Sequence, residues 1–425
     1  MRPVTGPQVL RRELGLLDAV GIGIGAIVGA GIFVVLGVAA GIAGPAILLG
    51  LLIAGVAASA NALSSAQLAA AYPVAGGTYE YGYRVIGPWT GFAAGWMFLA
   101  GKTTALGTVA IGIGGYLSGL VPGLPPRAVS VAAVAVFTVL NYFGVRRSSL
   151  ANLVVVGISL CSLLSLVAIG SFHLDTANFT PFAPGEPRAM LESAALLFFA
   201  YTGYARIATL GEEVREPART IPRAIVLTIG GTLLLYFAVA VVALGTVGAE
   251  GLSRTAAPLE DAARAAGGPV LALVLGVGGL VAMLGVVLSQ LLGLSRMAFA
   301  MARRGDLPGW LHAVHPVHGV PHRAVVLMGA IGLVIAATGT LEDVAAAASF
   351  TILLYYWVAN LSAIRMPSHA KLVPDAVPTI GLVACTVLAV ALPRDTIVVG
   401  LLILAAGFVA RMALHRLRRG ATRTH

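Results

Sequence analysis

Charge is what this chain has least of. Lys and Arg contribute 27 residues and Asp and Glu 17 among 425, or 10%, whereas an ordinary soluble domain carries about 25%. So few charges could not cover a soluble globule, which excludes soluble enzymes and nucleic-acid binders. Cysteine is equally scarce: Cys161 and Cys385 each lie inside an apolar run, say nothing about redox compartment and form no metal motif. A Gly-rich phosphate loop ending in Gly-Lys-Ser/Thr is missing, which excludes an ATP-driven pump. Disorder is excluded by the 58% of hydrophobic residues. No cleavable signal peptide is read, because the apolar stretch after Arg11 and Arg12 is too long and too Gly-rich.

What is present is a series of apolar runs long enough for the hydrocarbon core of a bilayer. Twelve are read, at about 16–38, 45–71, 86–118, 127–144, 150–171, 190–210, 223–247, 269–300, 324–339, 342–363, 376–392 and 395–413. Gly and Ala dominate and no ten-residue alternation appears, so the runs are helices and not barrel strands. The net charge of +10 belongs to short basic clusters between the runs. Arg127, Arg188, Arg254, Arg264 and Arg394 fall in one set of alternate loops, Lys102, Arg206 and Arg296 fall inside runs, and the remaining basic residues share the side of the N-terminus. This bias makes that side cytoplasmic, with both termini inside. The longest loops, 172–189 and 248–268, are too short for an inserted soluble domain. The tail RLRRGATRTH reads as a topology anchor or as a lipid-specific site.

Two runs are broken. The first carries Gly21, Gly23, Gly25, Gly29 and Gly31, each costing about 1 kcal/mol of helix propensity. Close helix packing accounts for Gly21 and Gly25. Gly29-Ala30-Gly31 before Ile32-Phe33 unwinds the helix at mid-depth instead, leaving amides free at the start of a half-helix, where anions bind. The sixth run has its counterpart in Phe198-Phe199-Ala200-Tyr201-Thr202-Gly203-Tyr204, whose break exposes carbonyls to a cation. Breaks five helices apart suggest two five-helix repeats facing each other at the midplane. The zwitterionic head group of an amino acid fits such a pair.

At these residues the chain resembles the amino acid–polyamine–organocation superfamily of transporters, from about Leu14 to Met366. The motifs are GAIVGAGIF (25–33), AYPVAGGTYEYGYRVIGPWTGFAAGW (71–96), NYFGV (141–145), FFAYTGY (198–204), EEVREPARTIPRAI (212–225) and SRMAFAMARRGDLP (295–308). The resemblance implies an all-α polytopic protein with a LeuT-like five-plus-five inverted repeat. The expected division is a cytoplasmic segment 1–15, repeats 16–171 and 190–366, two further helices in 372–413 and a basic tail 414–425. It also implies substrate contacts at Ile27, Gly29, Ala30, Gly31, Phe199, Thr202 and Gly203. Amides of Ala30 and Gly31 would hold the carboxylate, and carbonyls of Ile27, Phe199 and Thr202 the ammonium. Phe199 would be the gate, and the loop near Ala71–Tyr83 together with EEVREPARTIPRA would be cytoplasmic structural and gating elements.

The chain departs from that pattern in its charges. Ser159 stands where proton-coupled relatives often have a lysine, Ala66-Gln67-Leu68 replaces Ala-Glu-Leu, and Ala205-Arg206 replaces an acid after the second break. No acidic residue lies at mid-depth, but Lys102 does, where a charge costs at least about 2.5 kcal/mol. It reads as a proton switch, or as a lysine bonded to carbonyls of the first or eighth helix without titrating. Arg206 attracts an anionic substrate group or pairs with Glu213. Ser159 and Ser289 are further coupling candidates, though Ser289 reads first as a packing hydroxyl and only second as lining an ion site near the first helix. His312, His315, His318 and His322 have metal-like spacing, but no Cys or acid completes a shell, so neither metal nor cofactor is expected. Tyr355 and Tyr356 face the cavity or pack, and Trp96 packs.

The expected function is a secondary active amino acid transporter of the cytoplasmic membrane working by alternating access. Proton symport of a neutral or anionic substrate comes first; an exchanger, or a permease for a polyamine or other organic amine, is the alternative. Absent mid-membrane carboxylates argue against a polyamine. A membrane-embedded enzyme would need a His, Asp or Ser/His constellation that the runs lack, and a channel would need a symmetric filter. Partners expected are the substrate, the bilayer and protons, with no nucleic acid.

Overall fold

The computed structural model describes residues 14–72, 76–144, 149–183, 186–204, 207 and 214–421. Among them there is no β-strand, only an isolated parallel bridge between Leu14 and Val214. The chain runs through α1 (Leu16–Ile27), a π turn (Gly31–Val35), α2 (Leu36–Ala43), α3 (Ile47–Ala71), α4 (Thr78–Val85), α5 (Pro88–Leu120), α6 (Pro126–Tyr142) and α7 (Ser149–Gly170). It continues through α8 (Pro187–Tyr201), α9 (Pro217–Ser253), α10 (Pro258–Arg304), α11 (His322–Thr338), α12 (Leu341–Arg365), α13 (Ala376–Ala391) and α14 (Arg394–Ala421). Proline in the first turn starts α5, α6, α8, α9 and α10. Its missing N–H costs nothing there and its fixed φ suits the helix.

Seven helical stretches of the described residues are long and apolar enough to cross a membrane, and α6, α11 and α13 are shorter apolar helices. This is a multi-pass membrane protein. α5 and α12 form the middle of the bundle, their apolar windows 72% and 78% buried, while α7 and α14 lie outside at 33% and 17%. The outer helices turn Leu150, Leu153, Val154, Leu164, Leu401, Leu402 and Val409 outward, as lipid contact requires.

Three segments differ from the sequence expectation. Residues 248–268 are largely helical and not an open loop: α9 kinks at Gly248 (φ 72°), and α10 starts at Pro258 and kinks at Gly267–Gly268 (φ 70° at Gly268). Glycine breaks the run there while the flanking residues keep helical geometry. α4 folds a stretch read as loop, and α14 carries the basic tail on as helix to Ala421. Long polar side chains such as those of Arg416 and Arg418 sustain a helix beyond the apolar run.

A buried ionic cluster ties one end of the bundle together. Gly305, left-handed at φ 94°, closes α10 and turns Asp306 inward. Asp306 is 2% exposed and accepts from Arg411 Nε of α14 at 2.9 Å, from the Tyr79 hydroxyl at 2.8 Å and from that of Tyr83. Arg411 also donates to the Pro88 carbonyl at 2.9 Å and to the Tyr83 oxygen at 2.7 Å. Beside them Glu80 bridges Arg84 (2.8 Å) and Arg304 (2.9 Å). Burial pushes the Glu80 carboxyl up, but hydrogen bonds and charge from the two arginines prevail and hold it below its usual value. Its contribution is therefore present at neutral pH and lost as pH falls through that lowered value. So α4, the α10 end and α14 are held as one unit.

Asp306→Asn leaves the Arg411 guanidinium buried without its counter-charge. It should lower apparent stability by about 3–5 kcal/mol, read as a fall in thermal midpoint in detergent. The double variant Asp306→Asn/Arg411→Met should lose less than the two single losses added together. Simple addition would mean the pair is not coupled.

Candidate substrate site

The first helix stops at Ile27, just ahead of the Gly29-Ala30-Gly31 triplet, and the π turn starts at Gly31. Val28 is extended (φ −70°, ψ 109°), and the next bond that turns back is Phe33 N–H to the Gly29 carbonyl at 3.2 Å. The N–H groups of Ala30, Gly31 and Ile32 precede that bond, so they have no acceptor within their own segment. α8 ends in the same way at Tyr201, followed by a tight turn over Thr202–Tyr204. The Phe199 carbonyl takes both the N–H and, at 3.0 Å, the hydroxyl of Thr202.

The two breaks touch through backbone. A Cβ on Gly31 would lie 2.3 Å from Ala200 Cα, and one on Gly203 would lie 2.1 Å from the Ala26 oxygen and 2.5 Å from Ile27 N. Only hydrogen fits at either place, and this brings Ile27, Gly29, Ala30, Gly31, Phe199, Thr202 and Gly203 together. Gly29 faces Val286 of α10, where a Cβ would lie 2.9 Å from a methyl group. Phe199 keeps 7% exposure while Phe198 and Tyr201 keep none, so of these rings Phe199 alone has a free edge.

Two tyrosines complete the site. Tyr236 of α9 donates to the Ile27 carbonyl at 3.0 Å, and Tyr356 of α12 donates to the Thr202 carbonyl at 3.3 Å. Each hydroxyl uses one lone pair and leaves the other for a second donor. On the far side of the first break, Tyr116 of α5 donates to the Phe33 carbonyl at 2.7 Å. Two of the freed carbonyls, those of Ile27 and Thr202, are thus oriented by phenols. The result is a dipolar pair of poles, amide N–H at one and carbonyl oxygen at the other, matching a carboxylate and an ammonium.

The coupling candidates do not gather at one point. Lys102 is partly buried in α5, and no described residue bonds its ammonium. The preceding Gly101 packs against Thr351 and Ile352 of α12, and Phe98 meets the Tyr355 ring at 5.3 Å. At about 100° per residue Lys102 shares a face with Tyr116, four turns along. Ser159 donates to Val155 O at 2.7 Å and lies 3.4 Å from Gly278 O, whereas Ser289 donates to Val286 O at 3.0 Å. Gly278 and Ser289 are about 16 Å apart along α10, so these serines serve different places. Arg206 and Glu213 lie outside the described residues. Trp96 donates to Ile403 O at 2.7 Å, a packing bond. His315, His318 and His322 cluster against Tyr142, with His315 Nδ1 accepting from the N–H groups of Val317 and His318.

Tyr116 and Tyr236 were missed by sequence reasoning. Both are single tyrosines in long apolar helices, and nothing local marks which face meets a broken helix. Among the described residues, Glu192 lies near the start of α8 and Glu250 near the end of α9, both turns away from the breaks along their helices.

Helices of bilayer length with two mid-depth breaks packed on each other describe a membrane permease, and the comparisons agree. The amino acid permease family profile matches residues 18–412. The chain belongs to the amino acid permease family. It is 44% identical over 420 residues to an uncharacterized transporter of Mycobacterium tuberculosis, covering 98% of this chain and 94% of the relative. A branched-chain amino acid permease of Bacillus subtilis is 29% identical, with 95% and 93% covered. A methylthioribose transporter of the same species is 31% identical, with 81% and 80% covered.

Because Gly203 meets backbone, which cannot move aside, Gly203→Ala should cost about 1–3 kcal/mol of packing and depress uptake of a radiolabelled amino acid mixture by about tenfold or more. Gly231→Ala on α9, with open space around its Cβ, should keep most activity. Equal losses at both positions would mean that the break-to-break contact is not what uptake depends on.

Proposed function

We propose that this permease is a secondary active transporter of a neutral amino acid, working by alternating access with proton symport. Its twelve spans would form two inverted repeats, 16–171 and 190–366, followed by the helices of 372–413. The site is the junction of the two breaks, and the observation that carries the reading is their backbone contact at Gly31 and Gly203. A rigid contact of that kind lets both half-helices present their poles to one small zwitterion while the flanking helices rock around it. The substrate carboxylate takes the amides of Ala30 and Gly31. Its ammonium takes the second lone pairs at Ile27 and Thr202, beside the bonds from Tyr236 and Tyr356, and meets the Phe199 carbonyl only where the Thr202 hydroxyl swings away. Phe199 closes over it.

Neutrality of the substrate follows from the surroundings. Among the described residues, the side chains meeting the breaks include Ala200, Val286, Tyr236 and Tyr356, with no carboxylate beside them. A cationic side chain would find no partner there, and Lys102 would oppose it. The relative named as a branched-chain amino acid permease supports the same reading. Lys102 is the proton carrier in this scheme: an ammonium without a described partner, in the middle of the bundle, gains most from losing its charge. The basic segments set the N-terminus, residues 1–15, and the tail 414–425 in the cytoplasm.

Proteoliposomes loaded with buffer and given a panel of radiolabelled amino acids, with and without an inward proton gradient, test this directly. A neutral amino acid should accumulate with the gradient, and Lys102→Ala should abolish that dependence while leaving exchange of preloaded substrate intact. Uptake that follows internal substrate and ignores the gradient would make the protein an exchanger.

A further inference from the structure

The end of the bundle away from the Asp306–Arg411 cluster holds a buried carboxylate that neither the breaks nor a complete ion pair accounts for. After α9 the chain folds back through Ser253–Ala257 into the first turns of α10, up to the kink at Gly267–Gly268. This segment lies on the outer half of the first span and on the end of α5. A Cβ on Gly37 of α2 would lie 2.5 Å from Leu252 O and 3.1 Å from Pro258 Cγ, and one on Gly115 of α5 would lie 2.5 Å from Ala256 Cβ. It therefore covers the end of the bundle directly above Phe33 and Tyr116.

Glu260 points beneath this cover and is 2% exposed. Its Oε1 accepts from Arg264 at 2.9 Å, but Oε2 is buried without a hydrogen-bond partner, packed on Gly119 of α5, whose Cβ would lie 2.9 Å away. Arg264 is itself half exposed, so water shares its charge. The other titratable groups facing Glu260 are Asp261 on its own helix and Tyr116 of α5. α2 and α7 bring no acid or base, and Glu250 and Arg254 at the end of α9 pair with each other in the open. Burial pushes the Glu260 carboxyl above its usual value, against the pull of Arg264.

We propose that Glu260 is the proton-operated latch of an outer lid formed by residues 253–267. Protonated, the carboxyl is neutral, its buried second oxygen costs far less to leave without a partner, and the lid seats on α2 and α5. Ionised, it demands water, which it reaches only when the segment lifts. The seated state binds the proton more tightly, so falling external pH favours closure and rising pH favours opening. A proton arriving with substrate from outside would thus close the lid behind it. The proposal rests on the transport reading and its orientation, because the lid must face the outside for an external proton to reach it. Glu260 would act as a positioning residue and touches no substrate.

The lid can be tested without transport. In a Cys161→Ser/Cys385→Ser background, Ala263→Cys reports a lid position that is fully buried, and Ala265→Cys an exposed one on the same helix. A membrane-impermeant maleimide is added outside proteoliposomes between pH 5 and 8, and the ratio of the two labelling rates cancels the chemistry of the thiol. The ratio should rise by about fivefold or more with pH, stay flat at its low value in Glu260→Gln, and keep its slope in Glu260→Asp. Arg264→Gln, which removes the counter-charge and keeps the carboxyl, should move the midpoint to higher pH and guards against misfolding of the Gln variant. A flat ratio in the parent, or an unchanged slope in Glu260→Gln, overturns the latch, even if uptake in the same vesicles is proton-driven. A titrating ratio with uptake indifferent to external pH upholds the latch and overturns proton symport.

Discussion

Two hydrogen atoms, those standing in for side chains at Gly31 and Gly203, decide how close the breaks after α1 and α8 can come. A methyl group at either place would sit inside the covalent backbone of the other span, at 2.3 Å from Ala200 Cα or 2.1 Å from the Ala26 oxygen. Backbone cannot swing aside as a side chain can, so the contact is all or nothing. Everything proposed for the site follows from it: freed amides and freed carbonyls become useful only when the two breaks share one place.

Breaking a helix inside a bilayer leaves polar groups that lipid cannot satisfy, and the protein answers with phenols. Tyr236, Tyr356 and Tyr116 each donate to a carbonyl at or beside a break, from three different helices. A tyrosine suits this use because its ring packs as a hydrophobe while its hydroxyl reaches one acceptor. It adds no charge, so the electrostatics of the site stay those of the backbone dipoles. The strong charges stand at the bundle ends: Asp306 with Arg411 at one, Glu260 with Arg264 at the other. The first is saturated with donors and fastens α4, α10 and α14 together. The second is half satisfied, since one oxygen of Glu260 accepts from Arg264 and the other is buried without a partner.

How much of this was legible in the sequence differs from residue to residue. The break at Gly29–Gly31 announces itself, because glycine clustering and lipid-depth apolarity are both local properties. So does the one after Tyr201, with Thr202-Gly203 inside an apolar run. Glu260 was visible as an acid in a presumed loop, yet its burial was not, since kinks at Gly248 and Gly267–Gly268 fold that segment back over the bundle. Ser159 and Ser289 looked like one kind of candidate and serve two separate places along α10. The histidines showed a ligand-like spacing with no Cys or acid to complete a shell, but that the His315 ring nitrogen accepts from backbone N–H groups is set by the turn and invisible in the spacing.

Composition and order along the chain, by themselves, determined that this is a helical membrane protein with two interrupted helices, because hydrophobicity, helix propensity and glycine content act over a turn or two. They also determined that its interior is poor in acids. Tertiary structure alone decided which faces meet: that Gly31 opposes Ala200, that Tyr236 reaches Ile27, and that Glu260 lies under cover. In apolar helices nearly every face is hydrophobic, so periodicity carries little information about partners. Only the close packing of small residues, summed over the whole bundle, selects one arrangement.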